Sequence, residues 1–171
     1  MKNEDKWMPP PEGIWKMNTD ASFVPPSGEA AVGLVVRDHR GLVALSCGQQ
    51  LTGCSGPEEA EIMAVLIGLN TLSKYYNGQV WVESDCSSII NLLNNKANNQ
   101  SAFFPIVADV RDMERKFRQL SFSAVKRSNN KVAHELAAQA RRQGDFCLIS
   151  KVPDNLRSTL MGDCNDVGSI T

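Results

Sequence analysis

Two apolar stretches separated by a short turn signal constrain the fold most strongly. Residues 30–38 (AAVGLVVRD) are almost continuously apolar, and residues 42–50 (LVALSCGQQ) form a second stretch of strand-forming residues. The sequence DHRG, at residues 38–41, lies between them and is typical of a turn. This pattern predicts an antiparallel β-hairpin, on which the rest of the chain must build.

Strand and helix patterns alternate around this hairpin. The clearest helix covers residues 55–76, where Ile62, Val65 and Leu69 share one apolar stripe. The other predicted elements are strands at 14–20, 80–85 and 120–127 and helices at 87–94, 104–118 and 129–145. The order βββαβαβα predicts an α/β fold with a five-stranded mixed sheet and helices on both of its faces. We expect a flexible leader at 1–13, one domain at 14–145, and a tail at 146–171 with room for one short helix.

Composition narrows the class of protein. The chain has 171 residues, which suits one domain, and its net charge of −1 argues against a general polyanion binder. Its five cysteines are widely spaced, without a CxxC pair, and predict buried or free thiols rather than a zinc site or a disulfide framework. No signal sequence or apolar run of membrane-spanning length is visible, so we expect no membrane association and an intracellular location, in the nucleus or the cytoplasm.

Three carboxylates stand at the places where such a sheet would bring them together. Asp20 ends the first predicted strand, Asp85 ends the fourth, and Glu61 borders the apolar stripe of the first helix. If the two strands are adjacent and parallel, their carboxyl ends meet at one edge of the sheet. Oxygen ligands of this kind suit Mg²⁺, and two such ions can activate a water and stabilise a leaving oxygen.

Each of these acids also has an ordinary structural explanation. Asp20 would suit a turn, Asp85 would suit the N-cap of the following helix, and Glu61 would suit a salt bridge. Spacing alone leaves both interpretations open.

Four short motifs, in order along the chain, resemble the ribonuclease H domain. They are NTDAS with Asp20, EEAEIMAVLIGL with Glu61, VWVESDCSSI with Asp85, and RSNNKVAHELAAQA with Asn130 and His134. The chain is most similar to the plant group of ribonuclease H-like, reverse-transcriptase-related domains, over roughly residues 9–145. The resemblance implies that the first and fourth strands are central and parallel in the sheet.

The resemblance also implies an activity, which is hydrolysis of the RNA strand of RNA–DNA hybrids with two Mg²⁺ or Mn²⁺ ions. The products would carry 5′-phosphate and 3′-hydroxyl ends. By position, Asp20 would bridge both metals, Glu61 would lie near the 2′-hydroxyl that distinguishes RNA from DNA, and Asp85 would orient the attacking water. We expect the protein to act as a monomer.

The chain departs from the family pattern in several places. His134 aligns with the fourth acid of the family, and imidazole is a poor ligand for Mg²⁺. It could carry a proton near neutral pH, or it could be an inert, hydrogen-bonded histidine. The flexible loop before the last helix and the family's basic handle are missing, and Ala21 replaces the glycine of the common DGS motif.

Nucleic-acid contacts must therefore come from other residues. We expect Ser22, Arg127 and Asn130 to provide them, although Asn130 could instead cap the last helix. Two hypotheses follow: an active ribonuclease H, or a catalytically weak module on the same fold that binds nucleic acid or a protein. An exonuclease of the wider superfamily is a third, weaker hypothesis.

Overall fold

The structure, a computed structural model, describes residues 6–97 and 100–164. Six strands and five helices follow one another along this part of the chain. In order they are β1 Ile14–Val24, β2 Glu29–Arg37, β3 Val43–Leu51, α1 Pro57–Leu72, β4 Gln79–Ser84, α2 Ser87–Asn94, α3 Phe104–Met113, β5 Gln119–Ala124, α4 Lys131–Gln143, β6 Phe146–Ile149 and α5 Arg157–Cys164. Single 3₁₀ turns at Glu114–Lys116, Arg127–Asn129 and Asp154–Leu156 join some of them.

The strands form one mixed sheet in the order β5-β4-β1-β2-β3-β6. The hairpin predicted from the two apolar stretches is β2 and β3, which pair in antiparallel register. The predicted adjacency of the first and fourth strands is also confirmed, since β1 and β4 run parallel from Ile14 opposite Gln79 to Thr19 opposite Ser84. The α/β class and the helices on both faces are therefore as the sequence predicts.

One face of the sheet, which we call the apolar face, packs against α1, α2 and α3. Met17, Leu34, Val36 and Val82 point from the strands into this layer, and Leu69 of α1 meets them; all five are fully buried. Successive side chains of a strand point to opposite faces of the sheet, so every second residue of each strand contributes to this layer. The main hydrophobic core of the described residues lies here.

The opposite face, which we call the polar face, packs against α4. Gly33 of β2 lies directly under this helix: a Cβ at Gly33 would be only 2.3 Å from the backbone nitrogen of Ala137. A residue without a side chain is therefore needed for α4 to approach so closely. Val132 and Leu136 of α4 bury a smaller apolar cluster with Val35 of the sheet.

The structure corrects the predicted strand count, because the sheet has six strands rather than five. The additional strand, β6, lies in the segment predicted to be a tail, and it pairs in antiparallel register with the edge strand β3. Phe146 and Leu148 are partly buried by this pairing. Only four residues form the strand, so the sequence carries little periodic signal for it. The short helix predicted as an option for the tail is α5.

The prediction of buried or free thiols without a disulfide is wrong for two of the five cysteines. Cys47 of β3 and Cys147 of β6 face each other across the strand pair and form a disulfide, with their Cα atoms 4.1 Å apart. Cys54 and Cys86 are free thiols, as predicted. The pairing depends on β6, which the sequence pattern does not reveal.

Part of the predicted leader packs against the sheet. Trp7 belongs to the expected leader, yet it is only 3% exposed and packs on the polar face; the first five residues lie outside the described part of the chain.

Two elements have bounds that differ from the predicted ones. The first strand does not end at Asp20 but continues to Val24, because β2 pairs with it along this extension. The predicted third helix is shorter, since it changes to a 3₁₀ turn after Met113. No helix in the described ranges combines the length and the apolar character needed to cross a bilayer.

Candidate active site

Asp20 lies on β1 just beyond the point where the pairing of β1 with β4 ends. From Lys16 to Thr19, β1 is paired with both β4 and β2; beyond Thr19, β1 continues with β2 alone. Asp20 therefore stands beside the end of β4, and the residue is 3% exposed. This position in mid-strand differs from the predicted strand end, but the predicted edge of the sheet is the same.

Asp85 and Glu61 complete a cluster of three carboxylates. Asp85 directly follows β4, and Glu61 projects from the second turn of α1. One carboxylate oxygen from each of the three acids lies within 4.8 Å of the others. The parallel pairing of β1 and β4 accounts for Asp20 and Asp85, and the packing of α1 on the apolar face brings in Glu61.

Burial and mutual repulsion make these carboxylates hard to ionise together. Desolvation, with the nearby charges of Asp20 and Asp85, raises the pKa of Glu61 to about 9. Desolvation and Asp85 also raise the pKa of Asp20, against the opposing effect of a hydrogen bond with His134. The buried Oε2 atom of Glu61 has no hydrogen-bond partner. Clustered acids with an unsatisfied oxygen fit a divalent cation, which would favour their charged forms.

His134 reaches the same cluster from α4. Its Nδ1 atom lies 2.7 Å from Oδ2 of Asp20, and its side chain is 49% exposed. The histidine is therefore hydrogen-bonded, as in one of the two predicted alternatives, but its partner is a cluster acid. The role of proton carrier stays a prediction.

The three residues predicted to contact nucleic acid have different surroundings. Arg127 is 80% exposed, with Nε 3.4 Å from Oδ2 of Asp85. Ser22 is partly buried and accepts a hydrogen bond of 2.9 Å from Nε of Arg141. Their proposed contacts with nucleic acid stay predictions. Asn130 is only 1% exposed, and it makes no side-chain cap of α4, so neither predicted role matches its position.

Sequence reasoning missed a buried polar network on the polar face. Nζ of Lys16 lies 2.7 Å from Oε1 of Glu83, and Oε2 of Glu83 accepts a hydrogen bond from Asn18. Nη1 of Arg37 lies 2.9 Å from Oδ2 of Asp163 of α5, and both side chains are nearly inaccessible. Burial lowers the pKa of Lys16, and Glu83 opposes this shift. The alternation of Lys16 and Asn18 with apolar neighbours was the available signal, but it is usually read as a solvated face.

Known structures place this architecture in a recognised class. RNase H1 from Halobacterium salinarum NRC-1 superposes with a TM-score of 0.69 at 21% identity, covering 75% of this chain and 97% of that one. The N-terminal RNase H domain of a Mycobacterium tuberculosis protein gives 0.69 at 18%, covering 78% and 96%. LC11-RNase H1, isolated from compost by a metagenomic approach and crystallised with an RNA/DNA hybrid, gives 0.66 at 19%, covering 75% and 97%. The fold is the ribonuclease H-like fold.

The sequence identifies the family within this class. The Reverse transcriptase-like family matches residues 18–140, which is most of the chain and includes Asp20, Glu61, Asp85 and His134. The chain therefore belongs to the Reverse transcriptase-like family. No curated protein matches it by sequence. Membership in the plant group stays a prediction.

Proposed function

We propose that this protein is a metal-dependent endonuclease that hydrolyses the RNA strand of RNA–DNA hybrids. The observation that carries the proposal is the cluster of Asp20, Glu61 and Asp85, which come from three separate elements and lie within 4.8 Å of one another. Three carboxylates crowded without a cation are costly, and Glu61 has an oxygen without a partner. The ribonuclease H-like fold supports the choice of substrate.

Asp20, Glu61 and Asp85 would hold two Mg²⁺ or Mn²⁺ ions in the presence of substrate. Bound ions would activate a water and stabilise the leaving oxygen of the phosphodiester. Oxygen-only ligands favour these hard cations over softer metals. His134, which aligns with the fourth acid of the family, is hydrogen-bonded to Asp20 of the cluster.

His134 has two tasks in this proposal. Its contact with Oδ2 of Asp20 fixes the orientation of that carboxylate, which leaves the other oxygen for the cation. Its exposure of 49% allows the imidazole to exchange a proton with water. A histidine that orients a carboxylate and moves protons is compatible with catalysis in place of a fourth acid.

The partner proposed for this site is nucleic acid, bound by a monomer. LC11-RNase H1 is described in complex with an RNA/DNA hybrid, and this chain shares its fold. Arg127 lies beside Asp85 at the rim of the cluster, where an exposed guanidinium can reach a phosphate. Ser22 lies two residues beyond Asp20 on the same strand.

The decisive experiment is cleavage of an end-labelled RNA–DNA hybrid with Mg²⁺ and then Mn²⁺. We expect endonucleolytic products from the wild-type protein and none from a DNA duplex of the same sequence. Asp20→Asn should lower the rate by more than about 100-fold, since even groups that only orient metal ligands are worth about 10- to 100-fold. Asp109→Asn, an exposed change of the same kind on α3, should leave the rate unaltered.

A second function is favoured by one observation, the hydrogen bond of His134 to Asp20 where the family pattern has an acid. If this contact prevents metal binding, the protein would be a catalytically weak module that binds nucleic acid or a protein. Salt-sensitive binding of the hybrid without cleavage by either ion would establish this function and overturn the first. A labelled circular substrate separates both from an exonuclease, which needs a free end.

A further inference from the structure

Asn130 occupies an unusual place for a polar residue at the start of a helix. It precedes α4, but its side chain does not cap the helix and is turned into the protein, where the residue is 1% exposed. Its Nδ2 atom donates a hydrogen bond of 2.9 Å to the backbone oxygen of Thr19. Its Oδ1 atom accepts one of 3.2 Å from Nδ2 of Asn18. Both partners belong to β1, immediately before Asp20.

The orientation of the Asn130 amide is determined by its partners. The indole of Trp7 can only donate, and it donates to Oδ1 of Asn18 at 2.9 Å. The amide nitrogen of Asn18 must therefore face Asn130 and Glu83, and it lies 3.0 Å from Oε2 of Glu83. The backbone oxygen of Thr19 can only accept. Every group in this chain of hydrogen bonds has one suitable arrangement.

The backbone of Asn130 is equally engaged with the site. Its carbonyl oxygen accepts the N–H of His134 at 3.1 Å, within the first turn of α4. One residue is thus bonded through its side chain to the residue before Asp20 and through its backbone to His134. The contact of 2.7 Å between His134 and Asp20 closes this small ring of interactions.

We propose that Asn130 is a positioning residue that holds α4, and with it His134, in register with the strand that carries Asp20. It acts on the reaction through His134 and Asp20 and does not touch the substrate. The inference rests on the proposed function of the carboxylate cluster. It replaces the expectation that Asn130 contacts nucleic acid, because the residue is 1% exposed and both polar atoms of its side chain bond inside the protein, out of reach of a phosphate.

Steady-state kinetics on the hybrid separates positioning from substrate contact. Asn130→Ala should lower kcat by roughly 10- to 100-fold, the range found for groups that orient metal ligands, and leave KM unchanged. A raised KM with unchanged kcat would overturn the proposal in favour of a substrate contact. Asn129→Ala is the matched control and should leave kcat unchanged, because it removes bonds to Ser128 and to the backbone of Lys6, neither of which belongs to β1.

A double-mutant cycle tests whether Asn130 acts through His134. If it does, Asn130→Ala should add little to the defect of His134→Ala, because the group that it positions is already gone. Independent, multiplicative losses would overturn the proposal. Should Asn130→Ala fail to fold, Asn130→Ser retains one donor for the Thr19 oxygen, and we expect it to fold with an intermediate kcat and the same KM.

A readout that does not depend on activity keeps the two proposals distinguishable. Amide hydrogen exchange at Asp20, Ala21 and His134 should become faster in Asn130→Ala than in Asn129→Ala, since the link between β1 and α4 is lost. If the wild-type protein does not cleave the hybrid, the proposed function fails while this exchange result still decides the role of Asn130. Unchanged exchange at these three residues would overturn the positioning role.

Discussion

The two faces of the sheet solve the problem of burial in opposite ways. The apolar face buries side chains such as Met17, Val36 and Leu69, which need no particular partner. The polar face buries Lys16 and Arg37, each less than 3% exposed, and each requires an acid at a defined position. Both faces belong to the same strands, so the difference is set by alternate residues of β1 and β2.

The two faces therefore differ in the substitutions that they tolerate. Apolar packing tolerates rearrangement, since any well-fitting side chain excludes water. A buried charge does not tolerate the loss of its partner, because the remaining charge stays desolvated. The partners on the polar face include Trp7 and Asp163, which lie outside the residues matched by the family. The flanking segments are therefore part of the folded domain.

The largest effect on stability should come from breaking an ion pair on the polar face. Asp163→Ala leaves the buried Arg37 without this acid, and we expect the free energy of unfolding to fall by about 3–5 kcal/mol. The exposed pair of Arg157 and Asp154 provides the control, and Asp154→Ala should cost at most about 1 kcal/mol. Urea unfolding measures both. Equal losses would mean that burial does not distinguish the two pairs.

A large-to-small change on the apolar face should cost slightly less. Leu69→Ala removes a fully buried side chain, and we expect a loss of about 3 kcal/mol from the lost burial and the remaining cavity. Leu42→Ala, at a leucine that is 55% exposed, should change stability by no more than about 0.5 kcal/mol. The same unfolding experiment compares these values with that of Asp163→Ala. A loss at Leu69 well above that at Asp163 would reverse the order proposed for the two faces.

The carboxylate cluster, at the junction of the two faces, should make stability depend on pH and on metal. The pKa of Glu61 rises from its ordinary 4.5 to about 9, so the folded protein retains a proton that the unfolded chain has released. Without metal, stability should therefore be highest below pH 4.5 as far as this group is concerned, and it should decrease as the pH rises toward 9. Mg²⁺ at about 100 times its Kd should restore about 2.7 kcal/mol.

Thermal unfolding from pH 5 to pH 9, with and without Mg²⁺, measures this dependence. Glu61→Gln should reduce both the decline with pH and the effect of Mg²⁺, because the crowded charge is removed. Glu58→Gln, in the first turn of the same helix, is the matched control and should retain both effects. A decline with pH that is the same in Glu61→Gln and in wild type would exclude Glu61 as its origin.

The smallest expected effect is a gain in stability. The side chain of Thr19 lies on the apolar face, fully buried, and its Oγ1 atom has no hydrogen-bond partner. Thr19→Val replaces this hydroxyl with a methyl group, and we expect a gain of about 1 kcal/mol, since an unsatisfied buried polar group costs about 1–3 kcal/mol. Urea unfolding checks it. A loss of stability would show that the hydroxyl has a partner in solution.

The order of elements was predictable because it depends on local patterns. The hairpin and the helix at Ser87–Asn94 have periodic or turn signals within a few residues. The resemblance to the ribonuclease H domain supplied the adjacency of the first and fourth strands, which brings Asp20 and Asp85 to one edge of the sheet. Glu61 was identifiable because it borders the apolar stripe of the first helix, where an unpaired carboxylate is costly.

The structural features that the sequence did not predict depend on contacts between separate segments of the chain. The burial of Lys16 requires Glu83, and that of Trp7 requires Asn18, and neither pair has a signal within one window of sequence. The strand β6 forms because it pairs with the edge strand β3. The strand β1 extends past Asp20 because β2 pairs with it there. Tertiary contacts decide such features, so propensity and periodicity do not reveal them.

The extension of β1 beyond β4 leaves a strand edge in the interior of the sheet. At such an edge, backbone N–H and C=O groups have no neighbouring strand, and exposed edges of this kind usually invite pairing with another chain. Here the backbone amide of Ala21 interacts instead with the carboxyls of Asp20 and Glu61. The protein thus supplies its acids with a donor from the main chain, which substitution of side chains cannot remove. A proline at Ala21 would be the one replacement that takes this donor away.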